Sequence, residues 1–531
     1  MAGGVPEQGS ERGRRGTGVL VALAALLLAA CAPIRQEPET PRMSPEPAAD
    51  SASLGAWLDS VPEAREGATG FRLLAFGGEA YEWRLSAARA AEERLHVQYY
   101  IWQDDAAGRA LIAELLAAAD RGVDVSMLLD DMDVRGDDRS LAILDSHPNV
   151  SVRVFNPFRS RWGVLRAGVE FVFRGSHLNH RMHNKAWIAD GQLAIIGGRN
   201  IGDEYFDAGE TYNFSDLDVA MAGRLALEAD HAFVCYWNSP AAIPVQQIRR
   251  VEKEAAVLEA HRTLLDDWMD THREDHPLLG LAQGERGERL RALQDEDGYT
   301  WTSDAELVVD DAAKGLGEDT LEPGVIEVLL ARYAGLEREL VLISPYFVPG
   351  AEGTALLVDL VDRGVDVGVL TNSLAATDVA FAHSGYARRR QALLEGGVTL
   401  HELRPSAWSS VQSEYGSGLG LGSSRASLHS KAQLLDGEEV FIGSFNLDPR
   451  SANINTEMGV FVADPTLVRE LRQLYDASVE PALAYRVTLD DGGRVQWLDG
   501  DGTRYTRDPK AGFWRRFGAG AARLLPIESQ L

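Results

Sequence analysis

The sequence predicts an α/β protein of two similar α/β/α sandwich lobes, with one site at the pseudo-dyad between them. Three observations carry that reading. The hexapeptide DRGVDV begins at residue 120 and again at residue 362. The pattern H-x-K-x4-D-x6-G-x2-N begins at residue 183 and again at 429, and every matched position is displaced by the same 246 residues. Ahead of each hexapeptide lie a β-branched and aromatic run and then an apolar-periodic segment. Such strand–helix–strand alternation pairs strands in parallel and packs the helices on the sheet. Together these are the marks of an internal repeat.

Composition sets the class. The 531 residues are 45% hydrophobic and 25% charged, a globular balance that excludes a disordered or collagenous chain. Eighty acidic against 52 basic side chains give a net charge of −28, which repels phosphate backbones and disfavours nucleic acid as a partner. Two cysteines, Cys31 and Cys235, offer no disulfide framework.

The elements follow in order. Residues 1–30 read as an export signal, in which Arg12, Arg14 and Arg15 precede the apolar run Val19 to Ala30. As a helix that run spans about 18 Å, short of a ~30 Å hydrocarbon core. Its end, Leu28-Ala29-Ala30-Cys31, resembles the lipobox of bacterial lipoproteins, which implies lipidation of Cys31 and a lipid-anchored place in the bacterial cell envelope. Ala32 after the cysteine resembles lipoproteins sorted to the outer membrane; the outer face of the inner membrane is the alternative. Residues 31–68, with Pro33, Pro38, Pro41, Pro45 and Pro47, read as an extended tether.

The first lobe is placed at 69–245. LHVQYYIW (95–102) is its strand, Leu111, Leu115 and Leu116 mark its helix, and DRGVDVSMLLDD supplies a turn and second strand. Cys235, within FVCYW, reads as a buried small apolar residue. Residues 246–325 are helix-prone and acidic, a connector with a solvated face. The second lobe, 326–480, repeats the order: ELVLISPYFV (339–348), a helix around Leu356 to Val361, then DRGVDVGVL. Residues 481–531 form an extension that opens with a hairpin, YRVTL and RVQWL about Asp490-Asp491-Gly492-Gly493. Its Phe513, Trp514, Arg515, Arg516 and Phe517 suit either membrane contact or core packing.

The repeated motif carries the chemistry. A strand written H-x-K puts His and Lys on one face, because side chains alternate. Two such strands offer two imidazoles and two ammonium groups to one phosphate. Breaking a phosphodiester without a metal needs a nucleophile, a proton donor for the leaving alkoxide and positive charge about the phosphoryl oxygens. The two imidazoles must begin in opposite protonation states, so their titrations are coupled. Tyr100 and Tyr346 share the 246-residue offset.

The doubled motif resembles the phospholipase D superfamily, and the chain is similar in particular to bacterial cardiolipin synthases of the C type. The matching segments are YYIWQDD (99–105), RMHNK (181–185), GGRNIGDEYF (197–206), DLDV (216–219), YWNS (236–239), IGSFNLDPRS (442–451) and the terminal LLPIESQL. The resemblance implies the duplicated phospholipase D fold and a phosphatidyltransferase that needs neither cofactor nor metal. It would make cardiolipin from phosphatidylglycerol and a second phospholipid, with phosphatidylethanolamine as donor, at a membrane surface. It assigns His183 as the nucleophile that becomes phosphohistidine and His429 as the acid and base; the near-symmetric sequence itself does not decide between them. It gives Lys185, Lys431, Asn200 and Asn446 the non-bridging oxygens. Ser444 fits a further phosphate contact, whereas the first half departs from the pattern with Gly198. Glu457 and Asp218 (or Asp216) resemble the carboxylates that orient the two rings. Asp190 and Asp436 complete the motif, and bracing the fold suits them better than touching substrate. The rival readings are a hydrolase releasing phosphatidic acid, a secreted nuclease, and a non-catalytic lipid-binding lipoprotein.

Three further features have ordinary readings. His177, His180 and His183 have the spacing of metal ligands, but His183 is already taken by the repeat, so they read as loop histidines near an anionic substrate. Between 158 and 185, Arg159, Arg161, Arg166, Arg174, Arg181 and Lys185 face a single Glu170 and alternate with Phe158, Trp162, Phe171 and Phe173, which suits an anionic interface as well as pairing with the acidic surface. GSGLGLGSS (416–424) lacks a following Lys-Ser/Thr and reads as an entrance lid rather than a nucleotide loop.

Overall fold

A computed structural model describes residues 42–45, 53–159, 161, 178–251, 255–282, 286–320, 322–405 and 426–522. The signal segment, Cys31 and most of the proline-rich stretch lie outside the described residues. So do 162–177 (with His177), the glycine-rich 416–424 and the terminal LLPIESQL.

The first lobe is built on a nine-stranded mixed sheet. In chain order its strands are β1 (Thr69–Leu74), β2 (Arg94–Tyr99), β3 (Asp124–Asp130), β4 (Val150–Phe155), β5 (Ala186–Ala189) and β6 (Leu193–Gly197). A short β7 (Asn213–Ser215) stands apart, and β8 (Asp218–Gly223), β9 (Ala242–Pro244) and β10 (Thr300–Thr302) complete the sheet. Across it the order is β10-β1-β8-β6-β5-β2-β3-β4-β9. The second lobe takes β11 (Ala305–Val309), β12 (Glu339–Ile343), β13 (Asp366–Asn372) and β14 (Thr399–Leu403). After the separate β15 (Ala426–Leu428) come β16 (Ala432–Leu435), β17 (Glu439–Gly443), β18 (Met458–Val462), β19 (Ala484–Leu489), β20 (Val495–Leu498) and β21 (Arg504–Tyr505). Its order, β11-β18-β17-β16-β12-β13-β14-β19-β20-β21, repeats the first lobe's β8-β6-β5-β2-β3-β4 as β18-β17-β16-β12-β13-β14.

The twin hexapeptides explain themselves locally. In each, Asp-Arg closes a helix (Ala106–Asp120, Gly350–Asp362) and the glycine takes a left-handed turn, φ +99° at Gly122 and +94° at Gly364. Val-Asp-Val then starts β3 or β13, which pairs in parallel with β2 or β12 as the alternation requires. The hairpin of the extension is β19–β20, and it adds to the edge of the second sheet.

The lobes share one interior. Met182, Ile188, Ile196 and Val219 of the first lobe lie in the same buried apolar cluster as Leu434, Ile442, Val460 and Met458 of the second. Separate clusters fill the outer faces of each sheet. The site rests on this common floor.

Three expectations are corrected. The tether reading fails for its last part: Leu54–Ser60 and Pro62–Arg65 are helices, and Trp57 packs on Tyr299 and Trp301 of the first lobe. The connector is more than solvated helix, since it also supplies the edge strand β10 to one sheet and β11 to the other. Cys235 is exposed rather than buried. On helix Arg224–Trp237 the buried stripe runs through Ala226, Ala229, Asp230, Phe233 and Trp237, and Cys235 falls outside it.

Candidate active site

Each half-motif delivers its histidine by a strand laid against the other lobe. The chain before His183 bridges Met182 to Thr456 in parallel, and the His183 N–H donates to the Thr456 carbonyl at 2.9 Å. On the other side β15 pairs in parallel with β7, and the His429 N–H donates to the Ser215 carbonyl at 2.7 Å. One residue on from each carbonyl stands a carboxylate. Glu457 lies 2.9 and 3.1 Å from His183 Nδ1, and Asp216 lies 2.5 Å from His429 Nδ1. Each imidazole is thus carried by one lobe and oriented by the other through Nδ1, with Nε2 on the far side of the ring.

This corrects the carboxylate assignment. Asp218 is not at a histidine; it is buried against Arg84 at 2.8 Å and Arg199 at 3.4 Å. Sheet register shows why Asp216 is the counterpart of Glu457. Gly197 of β6 pairs with Asp218, and its equivalent Gly443 of β17 pairs with Gly459; two residues back stand Asp216 and Glu457.

The lysines close the site from below. Lys185 Nζ donates to the His183 carbonyl at 2.6 Å, and Lys431 Nζ to the His429 carbonyl at 2.5 Å, lying also 3.1 and 3.3 Å from the His429 ring nitrogens. Aromatic walls complete it. Tyr100 meets the His183 ring edge-on at 5.0 Å, while Phe214, Tyr205 and Tyr346 stand 4.9, 5.3 and 6.1 Å from that of His429. Only 7% of His183 and 4% of His429 is exposed, so each ring shows a reactant little more than an edge.

Burial and crowding of cations set the proton affinities. Burial first, then Lys185, Lys431 and His429, hold His183 well below the ordinary histidine range. His429 is lowered by burial and Lys431, with Asp216 pulling the other way. Burial brings Lys185 down to about 7, opposed by Glu457, and lowers Lys431 as well. The carboxylates diverge. Burial pushes Glu457 up to about 7 against the pull of Lys185, whereas Asp216, despite its burial, is held below the usual range by His429 and Lys431. Cationic groups so placed are relieved by an anion between them, as a phosphodiester would be.

The remaining candidates divide. Ser444 is corrected from a phosphate contact: its hydroxyl donates to Glu457 Oε2 at 2.5 Å and so acts on the carboxylate beneath His183. Its counterpart is glycine because Asp216 fills that space; a Cβ at Gly198 would lie 2.1 Å from Asp216 Oδ1. The Asn200 amide is engaged within the protein, accepting from the Ile101 N–H at 3.2 Å and donating to the Tyr205 hydroxyl at 3.1 Å. Asn446 keeps a buried Oδ1 without a hydrogen-bond partner among the described residues. Asp190 and Asp436, placed among the catalytic groups by their motif, face away from the site. Each sits in a left-handed Asp-Gly turn (φ 55° and 52°). Asp190 accepts the N–H groups of Glu92, Glu93 and Arg94, and Asp436 those of Glu337, Arg338 and Glu339. The three-histidine spacing yields no convergence of the described pair, since His180 Nδ1 donates to the Lys314 carbonyl at 2.8 Å while His183 engages Glu457.

Sequence reasoning missed Tyr205, Phe214, Asp378 and Arg450. Asp378 accepts the Tyr346 hydroxyl at 2.7 Å, and the Arg450 charge helps lower His183. Tyr205 and Arg450 stood inside the quoted segments GGRNIGDEYF and IGSFNLDPRS, so a signal was present for both; nothing local marks Asp378.

Two H-x-K segments, each leading into a strand of its own lobe and hydrogen-bonded to the other, make a site for exchange at a phosphodiester. The comparisons narrow the class. The family model for the cardiolipin synthase, phospholipase D-like domain matches residues 85–228 and 334–478. The chain is 41% identical to cardiolipin synthase C of Escherichia coli K12 over 455 residues, 85% of this chain and 93% of that protein. It is 23% identical to a cardiolipin synthase of Staphylococcus aureus Mu50, over 75% of this chain and 65% of that one. Among solved structures, phosphatidylserine synthase of Haemophilus influenzae Rd KW20 shares the fold at a TM-score of 0.56 and 14% identity, covering 88% of this chain and 99% of that one. The chain belongs to the phospholipase D-like cardiolipin synthase family, in two repeats.

Proposed function

We propose that the protein is a phosphatidyltransferase that makes cardiolipin, passing a phosphatidyl group through His183 from one phospholipid to phosphatidylglycerol. The observation that carries this is the crossed arrangement of two imidazoles, each on a carboxylate of the opposite lobe, with Lys185 and Lys431 beneath them.

The unequal carboxylates support the order of events. His183 is neutral at pH 7 and rests on a Glu457 that is itself near its titration point, so its Nε2 is free to attack phosphorus. His429 is also lowered by burial and Lys431, but the ionised Asp216 opposes them. It is therefore the less depressed of the two rings and the one that takes up the proton when a phosphodiester anion enters the site. In the first half-reaction the Nε2 lone pair forms the P–N bond, the P–O bond to the headgroup breaks, and His429 gives its proton to the departing oxygen. In the second, His429 takes the proton of a phosphatidylglycerol hydroxyl, the new P–O bond forms, and the P–N bond returns its electrons to His183. With phosphatidylethanolamine as donor the products are cardiolipin and ethanolamine. Water in place of the second lipid would give phosphatidic acid.

Mass spectrometry of lipids after incubating purified protein with defined phosphatidylethanolamine and phosphatidylglycerol tests this reading. Cardiolipin is expected, abolished by His183→Ala and by His429→Ala. Phosphatidic acid as the sole product with phosphatidylglycerol in excess would replace transfer by hydrolysis. Lipidation at Cys31 and a place in the cell envelope belong to the same proposal, supported by the Leu28–Cys31 pattern. Loss of acylation in Cys31→Ser, followed by radiolabelled palmitate, checks it.

A further inference from the structure

The helix Phe513–Ala522 turns its large side chains outward. Phe513, Trp514 and Phe517 are 70, 78 and 62% exposed, and their rings touch one another at 5.3 to 6.4 Å. The helix packs through Ala519, with Ala511 before it, on Leu374, Ala375 and Ala380, where the helix Ala380–Glu395 begins. There Val379 and Phe381 are also exposed, the latter to 55%. Apolar side chains grouped like this on two packed helices are uncommon on a soluble surface and mark a contact.

The patch is tied to the reaction centre by a few residues of chain. Arg515 donates to the Thr377 carbonyl, and the next residue, Asp378, holds the hydroxyl of Tyr346, whose ring faces His429. The local charge is also distinctive. Helix Phe513–Ala522 carries Arg515 and Arg516 and no acidic residue, in a chain with 80 acidic side chains against 52 basic. Aromatic rings beside arginines on a short helix are the chemistry of a bilayer interface containing anionic lipid.

We propose that Phe513, Trp514 and Phe517, with Val379 and Phe381, form the surface that docks on the lipid bilayer and turns the mouth of the site toward it. This rests on the lipid-transfer reading above. Tyr346 and Asp378 then lie between the bilayer and His429, so a headgroup leaving the interface meets the second imidazole without crossing bulk water.

The test uses the full chain on vesicles of phosphatidylethanolamine and phosphatidylglycerol, some with brominated acyl chains. The fluorescence of Trp514 is taken as the difference between the protein and Trp514→Phe. Its quenching by bromine is expected. The variant Phe513→Ser/Trp514→Ser/Phe517→Ser should lose roughly tenfold or more in turnover on vesicles. On short-chain phosphatidylethanolamine and phosphatidylglycerol dispersed as monomers it should stay within about twofold of the parent, because its changes lie at solvent. Absence of quenching, or unchanged vesicle turnover, overturns the proposal. Quenching that appears only after removal of residues 523–531 overturns it too, since the chain's own end would then cover the face. If the parent turns over no lipid at all, the transfer reading fails, while the quenching still decides the docking.

Discussion

One methylene separates the two carboxylates beneath the imidazoles, and the rest of the inequality follows from it. Glu457 reaches back far enough to leave room for Ser444, which donates to it; Asp216 fills the equivalent space and leaves room for nothing larger than Gly198. Gly198→Ser, which would make the two halves alike, must push Asp216 off His429. The expected result is a stability loss of roughly 1–3 kcal/mol in denaturant titration, with activity falling much further than stability. Asp216→Asn should slow turnover by about 10²–10⁴, whereas the first burst of p-nitrophenolate from a substrate with that leaving group, which needs no proton, should be slowed far less. The pH profile follows from the same groups. Glu457 must be ionised to accept from His183, so kcat/KM falls as pH drops through about 7; Lys185 must be charged to hold a phosphate, so it falls again as pH rises through about 7. A narrow bell near neutrality is expected, and Glu457→Gln should flatten its acid side. A bound anion favours the charged lysine, so the alkaline limb of kcat should lie above that of kcat/KM.

At the scale of elements, the hairpins β5–β6 and β16–β17 are where the motif aspartates act. Each takes a left-handed conformation and satisfies three backbone N–H groups of the loop entering the neighbouring strand. Asp190→Ala strands those donors and keeps an unfavourable φ, at a cost of roughly 2–4 kcal/mol measured by chemical denaturation, while specific activity per folded molecule is retained. The same elements show where the sequence could be read and where it could not. The H-x-K motifs were legible from their repeated spacing, but the strand expected of them starts one residue after the lysine: residues 183–185 lead into β5, and residues 429–431 join β15 to β16. Asp216 was not separable from Asp218, because the 246-residue offset breaks after Asn200 and Asn446, and only the pairing of Gly197 with Asp218 and Gly443 with Gly459 restores it. Nor did any local signal say that each histidine borrows its carboxylate from the other lobe. Cys235 misled because its neighbours Val234 and Tyr236 are apolar and buried, while its own place lies off the helix's buried stripe.

Over the whole molecule, duplication has produced one body rather than two. Ile188 and Ile196 share a buried cluster with Leu434 and Val460, and the described connector residues add an edge strand to each sheet. The two lobes should therefore unfold in a single calorimetric transition; two resolved transitions would mean that the common core contributes little. Continuity of that core also supplies the rigid floor that the proposed exchange at a single phosphorus atom would demand of two imidazoles. The repeat made the bilobed plan legible from DRGVDV and the paired motifs alone. The helices at Leu54–Ser60 and Pro62–Arg65 were hidden in a segment whose early prolines dominate its composition, although Trp57 was the residue that anchors them. The most direct measurement of the central claim is peptide mass spectrometry on protein mixed with phosphatidylethanolamine, the proposed donor, and quenched in alkali, where phosphohistidine survives. A phosphatidyl group on His183, absent from His183→Ala, is the predicted result. Adduct on His429 instead, or turnover with no adduct on either ring, would contradict it.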